Sequence, residues 1–144
     1  MPDLHFSIEI NRSPEAVFNS IADLANYRRW LPPSKTYAET IDISDLPIKA
    51  GTTYRDKNTT NIMLGEVRAY TPYSLIVFHQ ATEKPSLDIT IRYELSLAGS
   101  GTRLARTTTI ATFGLLRLIQ PILVRRIRQE NERTLQALKA YLES

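Results

Sequence analysis

Cysteine is absent from the 144-residue chain, and only two histidines, His5 and His79, are present. The lack of cysteine excludes disulfide frameworks, thiolate metal sites and cysteine nucleophiles. Neither histidine has carboxylates at a metal-ligand spacing, so we expect no metal site and no cofactor. The chain also contains no glycine-rich phosphate loop, nucleophile elbow or paired-carboxylate motif. No catalytic residue is therefore assigned from a motif.

Long apolar runs are missing as well. The most apolar stretch, FGLLRLIQPILV, is too short to span a bilayer and contains Arg117 and Pro121. The first residues show no basic region followed by an apolar run, which argues against a signal peptide. These features predict a soluble, cytoplasmic protein.

The excess of basic over acidic residues is also small. The formal net charge is +3, without a basic stripe, so we expect no nucleic-acid partner. Four arginines cluster near the start of the last predicted helix: Arg117, Arg125, Arg126 and Arg128. Beside the apolar stretch, this cluster could touch anionic lipid. Because Glu130 and Glu132 follow closely, we interpret it as an ordinary solvated face and do not expect peripheral membrane contact.

The residues that are present predict a strand followed by two short helices. Apolar and polar residues alternate in LHFSIEI, which indicates a half-buried strand. Ser13 has the character of an N-cap, with Pro14 at the first helical position. A second short helix is predicted from Leu24 to Trp30, ended by Pro32 and Pro33.

Strand and turn signals dominate residues 35–113. The clearest alternation places six residues on one side of a strand: Leu87, Ile89, Ile91, Tyr93, Leu95 and Leu97. Short turns between consecutive strands predict an antiparallel sheet. A helix predicted from about Leu115 to Leu142, with a kink or fresh start at Pro121, is long enough to cover it. We therefore predict one α+β domain over residues 1–144, with a cavity between sheet and helix.

Several segments together resemble a known superfamily. They are the opening SIEINRSPEAVFNSIADLANYRRWLP, then AGTTY, GEVRAYTPYSLIVF, GSGTRL and TLQALKAYLE. The likeness is to the START-like (SRPBCC) superfamily, which has the Bet v 1-like helix-grip fold, and most closely to its polyketide cyclase/dehydrase and lipid-transport group. The resemblance implies seven antiparallel strands curled around a long C-terminal helix, with two short helices after the first strand. It also implies a cavity for a lipid, polyketide or quinone-like ligand, but no single catalytic signature.

Ten residues are predicted to contact such a ligand: Trp30, Tyr54, Val67, Val77, His79, Ile89, Ile91, Tyr93, Ile127 and Asn131. His79 could act as a base facing the cavity, but we favour a half-exposed strand histidine paired to a neighbour. Tyr93 is expected to face inward with a partner for its hydroxyl group. Trp30 is interpreted first as a plug at one end of the sheet and second as a cavity wall.

Other polar residues leave alternatives open. Asn131 and Thr134 interrupt the apolar stripe of the last helix. They are polar anchors for a ligand if they face the sheet, or they lie at the edge of the buried side of the helix. Tyr54 and Asp56 share a strand face, as do Glu66 and Arg68. These two pairs could polarise a carbonyl group if they faced inward, but we expect surface ladders.

Three functions remain in order of preference. The first is binding of a small hydrophobic molecule for transport, sequestration or sensing. The second is a cyclase or dehydratase that holds a polyketide-like chain in a reactive shape, with a group such as His79 or Tyr93 as acid or base. The third is a protein-interaction module with a vestigial cavity.

Overall fold

The computed structural model describes residues 2–34, 37–58, 61–83 and 86–144. Seven antiparallel strands form one sheet in the order β1-β7-β6-β5-β4-β3-β2. The strands are β1 (Asp3–Ile10), β2 (Glu39–Ile41), β3 (Thr53–Lys57), β4 (Ile62–Thr71), β5 (Leu75–Thr82), β6 (Leu87–Ala98) and β7 (Gly101–Thr112). The predicted α+β helix-grip fold is confirmed, because a long C-terminal helix and two short helices after β1 accompany this sheet.

The two short helices follow β1 as predicted. Helix α1 (Pro14–Ala22) begins where the Ser13 side chain accepts a hydrogen bond from the Ala16 amide at 3.2 Å. Its buried face carries Val17, Phe18 and Ile21. The second helix (Leu24–Arg29) is a 3₁₀ helix, and Trp30 directly after it is buried in the core.

The strand registers define an inner and an outer face of the sheet. On the inner face Tyr93 of β6 pairs with Ile76 of β5 and with Arg106 of β7. The predicted alternation in β6 is confirmed, although Leu97 lies at the hairpin end and is 75% exposed. A bulge between Val67 and Ala69 shifts the register of β4 against β5.

The C-terminal segment divides near Pro121, as the sequence predicted. A 3₁₀ helix (Gly114–Ile119) is followed by α2 (Gln120–Glu143), with the proline in the first turn of α2. The buried face of α2 carries Asn131, Thr134, Leu135 and Leu138. This face closes the inner side of the sheet over a shared apolar core. Within the described ranges, no helix combines the length and apolar character needed to cross a bilayer.

Candidate functional site

A pocket of about 120 Å³, open on one side, lies between the inner face of the sheet, the 3₁₀ helix after α1, and α2. Its apolar wall consists of Leu24, Leu31, Phe78 and Ile91. The remaining lining is phenolic or polar: Tyr27, Tyr37, Tyr54, Asp56, Gln80, Tyr93, Arg106, Glu130 and Thr134. The pocket is therefore aromatic, with several hydrogen-bonding groups and both signs of charge.

Three aromatic rings form a row along the sheet floor. Tyr54 meets Phe78 edge to face at a centroid distance of 6.1 Å, and Phe78 meets Tyr93 in the same way at 6.2 Å. The Tyr54 ring lies over its register partner Gly65, where a Cβ atom would come within 2.3 Å of the ring. Glycine at position 65 is thus what lets this ring lie flat on the sheet floor.

A chain of hydrogen bonds surrounds the Asp56 carboxylate. The Thr40 hydroxyl donates to Asp56 Oδ1 at 2.7 Å, and it lies 2.9 Å from the Tyr37 hydroxyl. Gln80 Nε2 donates both to Asp56 Oδ2 at 2.7 Å and to the Tyr54 hydroxyl at 3.0 Å. Since Tyr54 accepts here, its phenolic proton has no acceptor among the described residues and can be offered to a ligand.

Burial controls the protonation of these groups. It raises the pKa of the Asp56 carboxyl from 3.8 to about 6, although the hydrogen bonds from Thr40 and Gln80 act in the opposite direction. Burial likewise raises the pKa of the Tyr27 and Tyr54 phenols well above 10. At neutral pH the tyrosines are therefore neutral donors, whereas Asp56 can accept or release a proton.

Arg106 is the cation of the pocket. Its side chain is only 7% exposed, and its Nη1 donates to the Tyr93 hydroxyl. The guanidinium carbon lies 5.1 Å from the centroid of the Tyr93 ring. Its Nε is buried without a partner in the described part of the chain, and no described carboxylate pairs with it. By contrast, Glu130 pairs with Arg133 at 2.6 Å, so its charge is already balanced.

The ten predicted contact residues fall into three groups in the structure. Three of them line the pocket: Tyr54, Ile91 and Tyr93. Five lie outside the lining: Trp30 follows the first 3₁₀ helix and is buried in the core, Val67 and Ile89 are buried in the sheet, and Ile127 and Asn131 are on α2. Trp30 packs 4.9 Å from the lining residue Tyr27, in the position of a plug behind the wall. The Tyr93 hydroxyl has the protein partner that was expected, namely Arg106.

Val77 and His79 must be removed from the proposed contacts. They alternate with the inward Phe78 and Gln80 in β5, so both lie on the outer face. His79 Nε2 lies 2.8 Å from Asp88 Oδ2, and its Nδ1 lies 3.2 Å from Arg68. The favoured interpretation of a paired strand histidine is therefore confirmed.

Asn131 is also satisfied by the protein. Its Oδ1 accepts from the Thr108 hydroxyl at 2.8 Å, and its Nδ2 donates to the Ile127 carbonyl at 2.6 Å. The amide joins α2 to β7, and Asn131 is not among the residues that line the pocket. Of the two polar residues that interrupt the stripe, only Thr134 reaches the pocket.

The expected surface ladders are half right. Glu66 and Arg68 are indeed on the outer face, where they form an ion pair at 3.2 Å. Tyr54 and Asp56 were predicted to be on the surface, and this was wrong, because both line the pocket. Tyr54 and Asp56 alternate with the exposed Thr53 and Arg55 in β3, so they lie on the inner face, where Tyr54 is part of the buried core and both line the pocket.

Arg106 was missed by the sequence analysis. A signal was present, because Arg106 shares its strand side with Leu104, Thr108 and Ile110, all of which are buried. The signal could be used only with knowledge of which residues of β7 face the inside of the sheet, because only then is Arg106 recognised as a buried arginine. Among the described residues, no group of three or more acidic or histidine side chains is arranged to hold a metal ion.

Comparison with known proteins agrees with this architecture. The profile of the family described as "Polyketide cyclase / dehydrase and lipid transport" matches residues 1–143. The Mll3558 protein from Rhizobium loti has 28% identity and a TM-score of 0.66, with 99% of this chain and 100% of that chain covered. No curated protein matches.

Two further structures share the fold at lower identity. The di-domain ARO/CYC BexL from the BE-7585A biosynthetic pathway has a TM-score of 0.78 and 17% identity, covering 99% of this chain and 47% of that one. Ara h 8.0201 has a TM-score of 0.75 and 14% identity, with 98% and 97% covered. By its profile match over nearly its whole length, the chain belongs to the polyketide cyclase/dehydrase and lipid-transport family.

Proposed function

We propose that the pocket binds a small, largely apolar molecule carrying an anionic oxygen, with Arg106 as the countercharge. The observation that carries this proposal is the buried guanidinium, whose described hydrogen bond goes to the Tyr93 hydroxyl and not to a carboxylate. A buried charge without an opposite partner is costly, and arginine does not lose its proton. A bound carboxylate or enolate would supply the missing charge.

The walls and the volume describe the rest of the ligand. The aromatic floor and the leucines beside it favour an apolar body. A cavity of roughly 150 Å³ holds benzene, so a pocket of about 120 Å³ accepts a group of that order of size. A longer chain would leave through the open side. The pocket is not filled by side chains, which weakens the alternative of an interaction module with a vestigial cavity.

The family and the fold support a hydrophobic ligand-binding or cyclase role. BexL is described as an ARO/CYC protein, and the present chain spans about half of its length. These likenesses agree with an apolar ligand but do not identify its head group. The head group is inferred from Arg106 alone.

Calorimetric titration with benzoate and with neutral benzyl alcohol tests the proposal. We expect the wild-type protein to prefer benzoate, and Arg106→Gln to weaken benzoate binding about tenfold or more, because a hydrogen bond to a charged group contributes about 1.5–3 kcal/mol. Benzyl alcohol should bind both proteins alike. Arg103→Gln is the matched control, since Arg103 is in the same strand but exposed and bonded to Ser7. Equal loss of benzoate affinity in both variants would refute the role of Arg106.

A second function, proton abstraction beside a carbonyl group, is favoured by Asp56. A carboxyl with a pKa of about 6 within the pocket is suited to take a proton from carbon at neutral pH. The carboxylate would become the acid as the substrate becomes an enolate, whose oxygen could accept from Tyr54 or Arg106. Such a step begins an aldol cyclisation.

Deuterium exchange into the methyl group of acetophenone tests this second function. We expect exchange above the protein-free rate with the wild-type protein, and loss of that excess with Asp56→Asn. Glu66→Gln, on the outer face of the neighbouring strand, should exchange like the wild type. If the wild-type protein gives no excess, Asp56 is not a base for this class of substrate.

A further inference from the structure

Large apolar side chains are concentrated on the surface where β7 ends and α2 begins. Five of them are exposed within ten residues: Phe113 47%, Leu115 85%, Leu118 79%, Ile119 46% and Ile122 59%. Single exposed leucines are ordinary on soluble proteins, but a contiguous set marks an interaction surface. We call residues 113–128 the docking segment.

The docking segment is also strongly basic. It contains Arg117, Arg125, Arg126 and Arg128, all exposed, and no acidic residue occurs between Glu94 and Glu130. The segment carries four positive charges while the whole chain carries a net +3, so the remainder is net negative by one.

The nearest acid does not balance these arginines. Glu130 is engaged by Arg133, which donates to it at 2.6 and 3.0 Å. Within the described part of the chain, none of the four segment arginines has an ion pair. From the sequence, the four arginines are interpreted as an ordinary solvated face. That interpretation explains neither the exposed leucines nor the unpaired positive charge of the docking segment.

The helix geometry separates this surface from the core. In α2 the buried side is formed by Asn131, Leu135 and Leu138. Ile122 and Arg126 are one turn apart on an exposed side, so apolar and basic groups lie together there. The sheet does not cover this side of α2, because the sheet packs against the opposite, buried side of the helix.

We propose that the docking segment binds the surface of an anionic lipid bilayer. Leu115, Leu118 and Ile122 enter the boundary of the acyl chains, and the four arginines meet the headgroups, as in interfacial amphipathic helices. A two-fold contact with a second copy would bring these arginines against one another, which is unfavourable. A nucleic acid would satisfy the charges but would leave the leucines in water.

Co-sedimentation of the full chain with vesicles tests this inference. Vesicles of phosphatidylcholine alone are compared with vesicles of equal parts phosphatidylcholine and phosphatidylserine. We expect binding to the anionic vesicles to be about tenfold or more tighter, because each basic residue near such a surface contributes about 1 kcal/mol. Added salt should weaken it by screening.

Two variants separate the apolar from the basic contribution. Leu115→Ser with Leu118→Ser, and Arg125→Gln with Arg126→Gln, should each reduce binding to anionic vesicles about tenfold. Leu97→Ser is the apolar control, since Leu97 is 75% exposed on the β6–β7 hairpin. Arg28→Gln with Arg29→Gln is the basic control, since both are exposed in the first 3₁₀ helix. Both controls should bind like the wild type.

Three outcomes would overturn the inference. Equal or absent binding to the two vesicle types would remove the lipid surface as the partner. A dimer in sedimentation velocity that dissociates in the double leucine variant would make a second copy the occupant. Binding of single-stranded RNA, lost in the double arginine variant while vesicle binding is unchanged, would assign the segment to nucleic acid. Circular dichroism and urea unfolding check that each variant is folded.

Discussion

The surroundings of Asp56 set this residue apart from the other acids of the sheet. Glu66, on the neighbouring strand, faces solvent and pairs with Arg68, whereas Asp56 faces the pocket and is surrounded by uncharged donors. Burial disfavours its charged form, so its pKa lies at about 6 in the folded chain. Two acidic residues of neighbouring strands thus have different surroundings, because they lie on opposite faces of one sheet.

The raised pKa of Asp56 predicts a pH dependence of stability. Between about pH 4 and 6 the folded state holds a proton that the unfolded state has released, so this group stabilises the fold at low pH and that contribution is lost as the pH rises through 6. Asp56→Asn should therefore gain on the order of 1–3 kcal/mol relative to the wild type between pH 4 and pH 7. Urea unfolding at both pH values measures the change.

A matched variant isolates the effect of Asp56 from other acids. A hydrogen bond from Ser44 lowers the pKa of Asp45, and one from Lys139 lowers the pKa of Glu143. These two groups therefore change the stability with pH in the direction opposite to Asp56, and they do so equally in the wild type and in Asp56→Asn. Glu66→Gln should show no comparable gain, because Glu66 is exposed. A difference between Asp56→Asn and wild type that is the same at pH 4 and pH 7 would show that Asp56 has an ordinary pKa in the fold.

Individual residues were predictable where strand alternation is strong. Tyr93 sits among apolar residues of one parity, and its inward position and need for a partner follow from that pattern. In β5 the run LIVF is apolar on both faces, so the parity of His79 could not be read from the sequence. In β3 the residues Arg55, Asp56 and Lys57 are all polar, so alternation does not show which of them face inward. The inward residue, Asp56, is polar because it lines a pocket.

At the scale of elements, the hydrogen bond between Thr108 and Asn131 links the middle of α2 to β7. Thr108 is fully buried and donates to Asn131, whose own amide group is tied to the preceding turn of the helix. From the sequence, Asn131 could be interpreted either as a ligand anchor or as an edge residue of the helix. Its partner Thr108 could not be identified, because it is 23 residues away on another element. The contact gives the helix a polar anchor on the sheet.

Removing the anchor should cost stability without changing the pocket. Asn131→Ala leaves the buried Thr108 hydroxyl without its acceptor, so we expect the free energy of unfolding to fall by about 1–3 kcal/mol. Adding Thr108→Val should recover part of the loss, because no unpaired hydroxyl group then remains. Urea unfolding measures both, and benzoate affinity should be unchanged. A large loss of benzoate affinity in folded Asn131→Ala would restore Asn131 as a ligand contact.

At the scale of the whole molecule, the fold followed from the order and the type of the elements. A strand, two short helices, a run of turn-connected strands and one long helix leave few ways to cover an antiparallel sheet. The pocket did not follow in the same way. Its residues come from the 3₁₀ helix after α1 and the segment that follows it, from four strands (β3, β5, β6 and β7) and from α2. Their convergence depends on strand registers that no local pattern specifies.

The central claim is that a buried arginine at the floor of an aromatic pocket receives an anionic ligand. The most direct measurement is ¹⁵N NMR of the arginine Nε–H signals during titration with benzoate. The account predicts a saturable shift of the Arg106 signal, no shift of Arg103, and no comparable effect of benzyl alcohol. An unchanged Arg106 signal, with benzoate shifting instead the exposed Arg125 and Arg126, would contradict it.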